Sequence, residues 1–318
     1  MVNELVLHVG HGKTGTSAIQ SALALNKEEL LRRGFVYPSH RDEPAARRGE
    51  ITSGNGELLF DSTFRFDDEV NYIFSSECFF HHLLEENHFS RLVQPRGRKI
   101  KVVLYTRDVF DFLLSVWIQA VKRSGEVLYL DEFLLKGATS SEDGSPFFIY
   151  QKIQRWLDMA EAYNCECIVR NYSRWRANIV EIFFRDAMSL ERLDFDIVMP
   201  KSRTVNRSLT LVECEFQRLF NKVIRGSGSF ISDVLVNKLP NLPVARLRCS
   251  SEAYDAACYA IRPSVEQINS RIAFAEAVLI ESRASVVVDQ DLSQVVFSPE
   301  QMEVLAVGLR ELFSRLKR

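Results

Sequence analysis

The 318-residue chain is long enough for one large α/β domain or two small ones, and its 46% hydrophobic content excludes an intrinsically disordered protein. With 40 basic and 42 acidic residues the formal net charge is −2, so the overall charge favours neither a nucleic-acid nor an anionic-membrane partner. Six sparse cysteines, no membrane-spanning stretch and no signal-peptide pattern lead us to predict a cytoplasmic protein with free thiols.

Residues 5–17 predict a buried strand, a tight loop and the start of a helix, in that order. An apolar run ends in a loop that contains three glycines, which let the backbone turn sharply and bring several N–H groups close to one anion. From Thr16 onward, apolar residues recur at helical spacing as far as Leu30. A helix N-terminus carries a partial positive charge, so with Lys13 beside it the segment predicts a binding site for phosphate or a similar oxyanion.

The elements that follow indicate a parallel sheet. Short apolar runs predict further strands at 35–37, 71–77, 100–106 and 167–172. Apolar residues three and four apart predict helices at 108–121 and 147–163, whereas the polar segment 39–56 predicts a loop over the edge of the sheet. Because strands alternate with helices through residue 172, we expect right-handed crossovers and a three-layer α/β/α fold.

The last third of the chain reads mainly as helix. We predict a single domain of residues 1–318, in which a sheet-containing core, 1–200, carries a helical extension, 201–318. Ser298 and Gln301 form a capping-box pattern around the start of the final helix. Its apolar stripe is expected to pack on the protein's own sheet.

Charged side chains stand at the carboxyl ends of two predicted strands. Glu77 ends the 71–77 strand and Arg107 follows the 100–106 strand, and ligands of open parallel sheets bind at this carboxyl edge. A Walker A loop would have glycine at position 7, where this chain has Leu7. Nucleotide hydrolases also need an aspartate at a strand end to hold magnesium. Here Arg107 follows the strand and Asp108 stands one residue further on. An arginine at the strand end suits a second anion better than a metal ion.

The loop 8–17, together with Arg107 and with Ser115 eight residues later, resembles the sulfotransferase family, and most closely bacterial sulfotransferases. The resemblance spans about residues 5–210. It implies a fold like that of nucleotide kinases and 3′-phosphoadenosine 5′-phosphosulfate as the cofactor. It assigns Arg107 and Ser115 to the 3′-phosphate. It assigns the 5′-phosphosulfate to the loop residues Gly12, Lys13, Thr14, Gly15, Thr16 and Ser17.

The chain departs from the family pattern at two points. Family loops commonly have proline before the lysine, where this chain has Gly12. Many members use a catalytic histidine in the region where this chain has 75–77, but some carbohydrate-modifying members use a glutamate, so the resemblance implies Glu77 as the base. His81 or His82 remains an alternative base.

Further residues complete the expected site. Tyr172 would stack on adenine, although an aromatic residue at such a position is equally often part of the core. A weaker resemblance at 206–208 implies that Asn206, with Arg203 and Arg207, closes over the nucleotide; a solvated basic loop is the other interpretation. His8 is expected in the core of its strand and His11 in the loop near the cofactor.

Together these residues predict a sulfotransferase. It would move a sulfuryl group to an acceptor hydroxyl, on a saccharide or glycolipid, with adenosine 3′,5′-bisphosphate as the product and without a metal. Lys13 would neutralise charge on the leaving phosphate and Glu77 would take the proton, since sulfuryl transfer, like phosphoryl transfer, depends on positioning and charge stabilisation. Two alternatives stay open, a kinase that uses ATP and magnesium and a catalytically inactive nucleotide-binding protein.

Overall fold

The computed structural model describes residues 3–67, 69–85, 88–93, 98–200, 207–242, 248–287 and 296–316. Its strands are β1 (Glu4–Gly10), β2 (Phe35–Val36), β3 (Asn71–Ser76), β4 (Lys99–Thr106) and β5 (Glu166–Asn171). Its helices are α1 (Thr16–Leu25), α2 (Lys27–Arg32), α3 (Glu43–Arg47), α4 (Phe79–His82), α5 (His88–Val93), α6 (Val109–Gln119), α7 (Leu130–Ala138), α8 (Ile149–Ala162), α9 (Tyr172–Trp175), α10 (Ile179–Ala187), α11 (Leu211–Asn221), α12 (Ser232–Lys238), α13 (Ser251–Asn269), α14 (Arg283–Val286) and α15 (Pro299–Leu316). Single tighter or wider turns lie at Gly56–Leu59, Ala120–Ser124, Pro146–Phe148, Ser227–Ser229 and Phe274–Glu276.

The five strands form one parallel sheet in the order β2-β3-β1-β4-β5. Successive side chains of a strand point to opposite faces, and in β1 both Val6 and Leu7 are fully buried. Both faces of the sheet are therefore covered, which confirms the predicted α/β class and parallel sheet.

The strand order places a crevice at the carboxyl ends of β1 and β4. The chain leaves β1 toward β2 at one edge of the sheet, and it leaves β4 toward β5 at the other edge. Where neighbouring strands send their connections in opposite directions, the loops separate and a ligand can bind between them. The glycine loop after β1 and Arg107 after β4 lie at this point.

Contacts divide the chain into two compact units. The first consists of Met1–Asp108, Ile149–Arg203 and Ser264–Leu279, and it contains the whole sheet. The second consists of Val109–Phe148, Thr204–Pro263 and Ile280–Arg318. In the second unit the described elements are helices and helical turns, apart from one isolated bridge at Cys249 and Val287.

The first helix is shorter than the sequence predicts. Apolar spacing extends to Leu30, but α1 ends at Leu25 and α2 begins at Lys27. Between them, the Asn26 side chain donates to the carbonyl of Val198 at 2.8 Å and accepts from its N–H at 2.9 Å. These bonds to a distant segment fix the break between the two helices.

The segment 39–56 contains a helix that we did not predict, α3, and then packs along the end of β3. Asn55 accepts from Ser75 N–H at 2.8 Å and donates through its own N–H to the Ser75 carbonyl at 3.2 Å. Gly54 has φ of 75°, and a Cβ there would lie 1.9 Å from the Ser75 carbonyl oxygen. This close approach supports the strand end that carries Glu77.

In the second unit, the final helix begins as predicted. Ser298 N–H donates to Gln301 Oε1 at 3.0 Å and Gln301 N–H donates to Ser298 Oγ at 3.2 Å, which completes the capping box. The expected sheet partner is wrong for Leu305, which packs instead with Ile231 and Leu235 at α12. Apolar residues on these helices are buried by one another.

Among the described residues, no helix has both the length and the apolar character that crossing a bilayer requires.

Candidate active site

The loop between β1 and α1 is tightly folded. Thr14 Oγ1 donates to the His11 carbonyl at 2.6 Å, which closes the turn from within. Lys13 and Gly15 have left-handed backbones, with φ of 75° and 81°. Gly15 is followed directly by the first helical residue, Thr16. The loop therefore leads into a helix N-terminus, as the sequence predicts, and such an N-terminus favours an anion.

Glu77 lies against this loop. It follows β3, which pairs directly with β1, and a Cβ on Gly12 would lie 3.9 Å from Glu77 Oε2. Burial raises the pKa of the Glu77 carboxyl above its usual 4.5, and the Lys13 ammonium and the Thr16 hydroxyl offset only part of this increase. A half-buried carboxylate with a raised pKa, close to a lysine, suits a general base.

Arg107 reaches the same loop from the other side. It follows β4, and its Nη1 donates to the Lys13 carbonyl at 2.7 Å. Its guanidinium carbon lies 5.2 Å from the centroid of the Tyr172 ring, which begins α9. A Cβ on Gly15 would lie 2.9 Å from Tyr172 Cε2. The structure thus brings Lys13, Glu77, Arg107 and Tyr172 to one edge of the sheet.

The remaining predicted nucleotide ligands, Ser115 and Asn206, lie outside the described part of the first unit. Ser115 lies on α6, in the second unit, and its hydroxyl donates to the Phe112 carbonyl at 2.8 Å. Asn206 and Arg203 lie outside the described residues. The roles of Ser115 and Asn206 toward a nucleotide stay predictions.

Arg207 is not a solvated loop residue. It is 8% exposed, and its Nη1 and Nη2 donate to the two carboxylate oxygens of Glu213 at 2.7 and 2.8 Å. Such a two-point ion pair holds the second unit together internally. The interpretation of Arg207 as a solvated loop residue is therefore wrong, and a role toward the nucleotide stays a prediction.

Two histidines of the first strand and loop are buried. His8 lies between Tyr105 and Phe183, and its Nδ1 is 2.7 Å from Ser75 Oγ. Burial lowers its pKa to about 3, so it is a neutral core histidine, as predicted. Burial also lowers the pKa of His11 to about 3, and nearby Arg107 adds to that effect.

Of the two alternative bases, His81 has an unexpected neighbour. Lys152 Nζ lies 3.3 Å from His81 Nδ1, although Lys152 is on α8 and only 7% exposed. An ammonium group has donors only, so this contact assigns a lone pair to Nδ1 and the ring proton to Nε2. His82 is exposed, 3.7 Å from Glu85.

Sequence reasoning did not single out Lys152. The signal was present, because Lys152 stands between Tyr150 and Ile153 on the apolar side of a predicted helix, and both of those residues are buried. A lysine in that position needs a polar partner. The partner, 71 residues earlier, is what the sequence does not reveal.

Asp108 is committed to internal hydrogen bonds. Its Oδ1 accepts from Asn171 Nδ2 at 2.8 Å and from Leu279 N–H at 3.0 Å. In the described part of the chain, no group of three or more His, Cys, Asp or Glu side chains has a geometry suited to a metal ion.

The fold and this edge define an α/β protein in which a glycine loop after the first strand leads into a helix N-terminus. The chain is similar in structure to a sulfotransferase from Alicyclobacillus acidocaldarius, with a TM-score of 0.44 and 11% sequence identity, over 90% of this chain and 99% of that one. No protein-family model matches the sequence, and no curated protein matches it.

Replacing Gly15 by alanine should destabilise the protein by roughly 1–3 kcal/mol, because a side chain is disfavoured at this φ and meets the Tyr172 ring. The measurement is thermal unfolding followed by circular dichroism. Gly144→Ala is the matched control, since a Cβ there meets no atom within 4 Å. Equal melting temperatures for the two variants would contradict the contact between Gly15 and Tyr172.

Proposed function

We propose that the chain is a sulfotransferase that uses 3′-phosphoadenosine 5′-phosphosulfate to sulfate an acceptor hydroxyl, on a saccharide or glycolipid. The observation that carries the proposal is the bond from Arg107 to the Lys13 carbonyl, 2.7 Å long. It holds the Arg107 guanidinium against the backbone of the loop that carries Lys13, so two cationic residues belong to one loop region. That arrangement suits a nucleotide with two separate anionic groups.

The residues present fit such a nucleotide. The loop from Gly12 to Ser17 combines a lysine, two hydroxyls that follow a left-handed glycine and a helix N-terminus, all of which favour a phosphosulfate. Arg107 offers a planar, multiply donating cation for a second phosphate. The Tyr172 ring beside it supplies an aromatic surface for the adenine ring of the nucleotide.

Each catalytic residue has one task. The bound nucleotide supplies a sulfuryl group attached to an activated phosphate. Lys13 stabilises the negative charge that develops beside the loop, and Glu77 accepts the proton of the acceptor hydroxyl. Glu77 lies against Gly12, so the base and the loop are close enough to act on one reaction centre.

Glu77 is favoured over His81 as the base. A base must offer a lone pair, and the contact with Lys152 occupies the one on His81 Nδ1. His81 then offers a donor, Nε2–H. The Lys13 charge and the Thr16 hydroxyl both favour the ionised form of Glu77, which is the form that accepts a proton.

The kinase alternative is less well supported. A magnesium-dependent kinase needs a carboxylate at the end of the strand next to the phosphate loop. At the end of β4, Asp108 directs its Oδ1 to Asn171 and Leu279 instead. A metal ion bound through Oδ1 would compete with both hydrogen bonds.

Calorimetry tests the proposal. Adenosine 3′,5′-bisphosphate should bind with the same affinity in the presence of magnesium and of EDTA. Binding of ATP alone, and only with magnesium, would favour the kinase. Release of the bisphosphate from the sulfated nucleotide with a panel of hydroxyl acceptors distinguishes an enzyme from an inactive binding protein.

Arg107→Ala should lower the affinity for adenosine 3′,5′-bisphosphate by about 10²-fold, since truncating one partner of a buried charge pair costs several kcal/mol. The affinity for adenosine 5′-phosphate should fall far less. The control is Arg48→Ala, an exposed arginine paired with Glu50 in the same unit. Equal losses for both nucleotides in Arg107→Ala would refute its assignment to the 3′-phosphate.

A further inference from the structure

The main chain at Arg107 is held from two sides. Tyr150 OH donates to the Arg107 carbonyl at 2.8 Å, and Asp108 N–H donates to Ser173 Oγ at 3.1 Å. Tyr150 is 1% exposed and belongs to α8. Two side chains from different elements of the first unit thus fix the peptide that joins Arg107 to Asp108.

A buried asparagine links this peptide to Tyr172. Asn171 is fully buried at the end of β5, and its Oδ1 accepts from Ser173 N–H at 3.0 Å. Its Nδ2 donates to Asp108 Oδ1 at 2.8 Å. Because Tyr172 lies between Asn171 and Ser173 in the chain, these bonds fix the backbone that carries its ring.

Glu276 anchors the same junction from a later part of the chain. Its Oε2 accepts from the Asn171 N–H at 2.8 Å, and its Oε1 accepts from Arg170 Nη1 at 2.8 Å. Asn171 also donates to the Ala277 carbonyl at 2.9 Å. The ends of β4 and β5 are therefore bound to each other and to a third segment.

We propose that Tyr150 and Ser173 are positioning residues that hold Arg107 beside the phosphate loop, where it can bind a 3′-phosphate, and that they thereby set the preference for a nucleotide that carries one. The proposal rests on the proposed function. Arg107 is directed by its main chain, and its side chain must reach across to the Lys13 carbonyl. Losing either hydrogen bond lets the strand end shift, and small displacements of a binding group lower affinity steeply.

A purely structural role makes a different prediction. If these bonds only stabilise the fold, their loss lowers the melting temperature. The affinities for the two nucleotides then either stay the same or fall by the same factor. If they hold Arg107 in place, their loss changes the ratio of two affinities, for adenosine 3′,5′-bisphosphate and for adenosine 5′-phosphate. Both ligands occupy the same loop, so the ratio isolates the contribution of the 3′-phosphate.

Tyr150→Phe is the main variant, because it removes one hydroxyl and keeps the ring. Ser173→Ala is the second, so that the test survives a folding defect in either. The matched control is Tyr254→Phe in the second unit, where the tyrosine OH likewise donates to a backbone carbonyl, that of Glu281, at 2.8 Å. All three are measured by calorimetry with both nucleotides, beside their melting temperatures.

We expect Tyr150→Phe and Ser173→Ala each to lower the affinity for the bisphosphate by about fivefold to tenfold, which corresponds to the loss of one hydrogen bond. The affinity for adenosine 5′-phosphate should fall by less than about twofold. Tyr254→Phe should leave the ratio unchanged. Unchanged ratios in both variants, or an equal change in the control, would overturn the inference alone. If the wild-type protein shows no preference for the bisphosphate, the proposed function fails and the inference fails with it.

Discussion

Replacing Glu77 by glutamine should lower kcat by about 10²- to 10⁴-fold, the usual contribution of a general base. The amide keeps the size of the side chain but cannot accept a proton from the acceptor hydroxyl. The affinity for adenosine 3′,5′-bisphosphate should change little, because the charge of Lys13 and the loop remain. The measurement is the rate of bisphosphate release with an acceptor that the wild-type protein sulfates.

Stability and pH dependence sharpen this test. Burial raises the pKa of Glu77, so ionisation of this carboxyl destabilises the folded protein. The destabilisation is absent at a pH below the pKa of Glu77 in the unfolded chain, and it is fully present at a pH above the pKa in the folded protein. Glu77→Gln should therefore be at least as stable as the wild-type protein at pH 7. The acid limb of the wild-type rate profile should lie above the ordinary pKa of a glutamate, 4.5.

Two controls complete the Glu77 experiment. Glu57→Gln changes an exposed carboxylate and should leave the rate unchanged. His81→Ala removes the alternative base and should retain more activity than Glu77→Gln. Full activity in Glu77→Gln, or a larger loss in His81→Ala, would remove Glu77 as the base.

The sequence was sufficient to predict the sheet and the convergence of Lys13, Glu77 and Arg107. Glu77 and Arg107 directly follow strands, and Lys13 lies in the loop after the first strand. Parallel strands bring their carboxyl ends to one edge of the sheet, independently of how the connecting helices pack. β3, β1 and β4 are also neighbours in the sheet. The positions of these residues along the chain therefore sufficed to place them at one edge, and the strand order makes them neighbours.

Local pattern did not suffice where a distant partner decides the structure. Asn26 ends α1 because it bonds to Val198, 172 residues away. Lys152 lies on a buried helix face and contacts His81, 71 residues earlier in the chain. Arg207 reads as a solvated cation, but it is buried and its Nε donates to the Leu239 carbonyl, 32 residues away. In each case the determining contact depends on tertiary packing, which periodicity does not encode.

The backbone at Lys13 explains why a second large effect is expected there. Its φ of 75° is a conformation that glycine adopts freely and that a lysine adopts at a cost of about 1–3 kcal/mol. A stability criterion alone would favour glycine at this position. A lysine therefore indicates that its side chain is needed at the loop, where it acts on Glu77 and would meet the leaving phosphate.

Lys13→Gly should consequently raise the free energy of unfolding by about 1 kcal/mol while lowering kcat by about 10²- to 10³-fold, the cost of losing one charge-stabilising group. Lys13→Arg keeps a cation at the strained position and should retain more activity without the gain in stability. Denaturant unfolding and initial rates measure the two effects on the same preparations.

Removal of Lys13 should also move the pH dependence. Its ammonium lowers the pKa of Glu77, so without it that pKa rises further, and the acid limb of the residual activity should move to higher pH. Lys13→Arg should leave the limb near its wild-type position. A glycine variant with wild-type kcat would eliminate Lys13 from catalysis, and an unmoved acid limb would separate Lys13 from Glu77. Stabilisation, loss of rate and a shifted limb in a single variant are together expected only if the lysine is held in a strained backbone for catalysis.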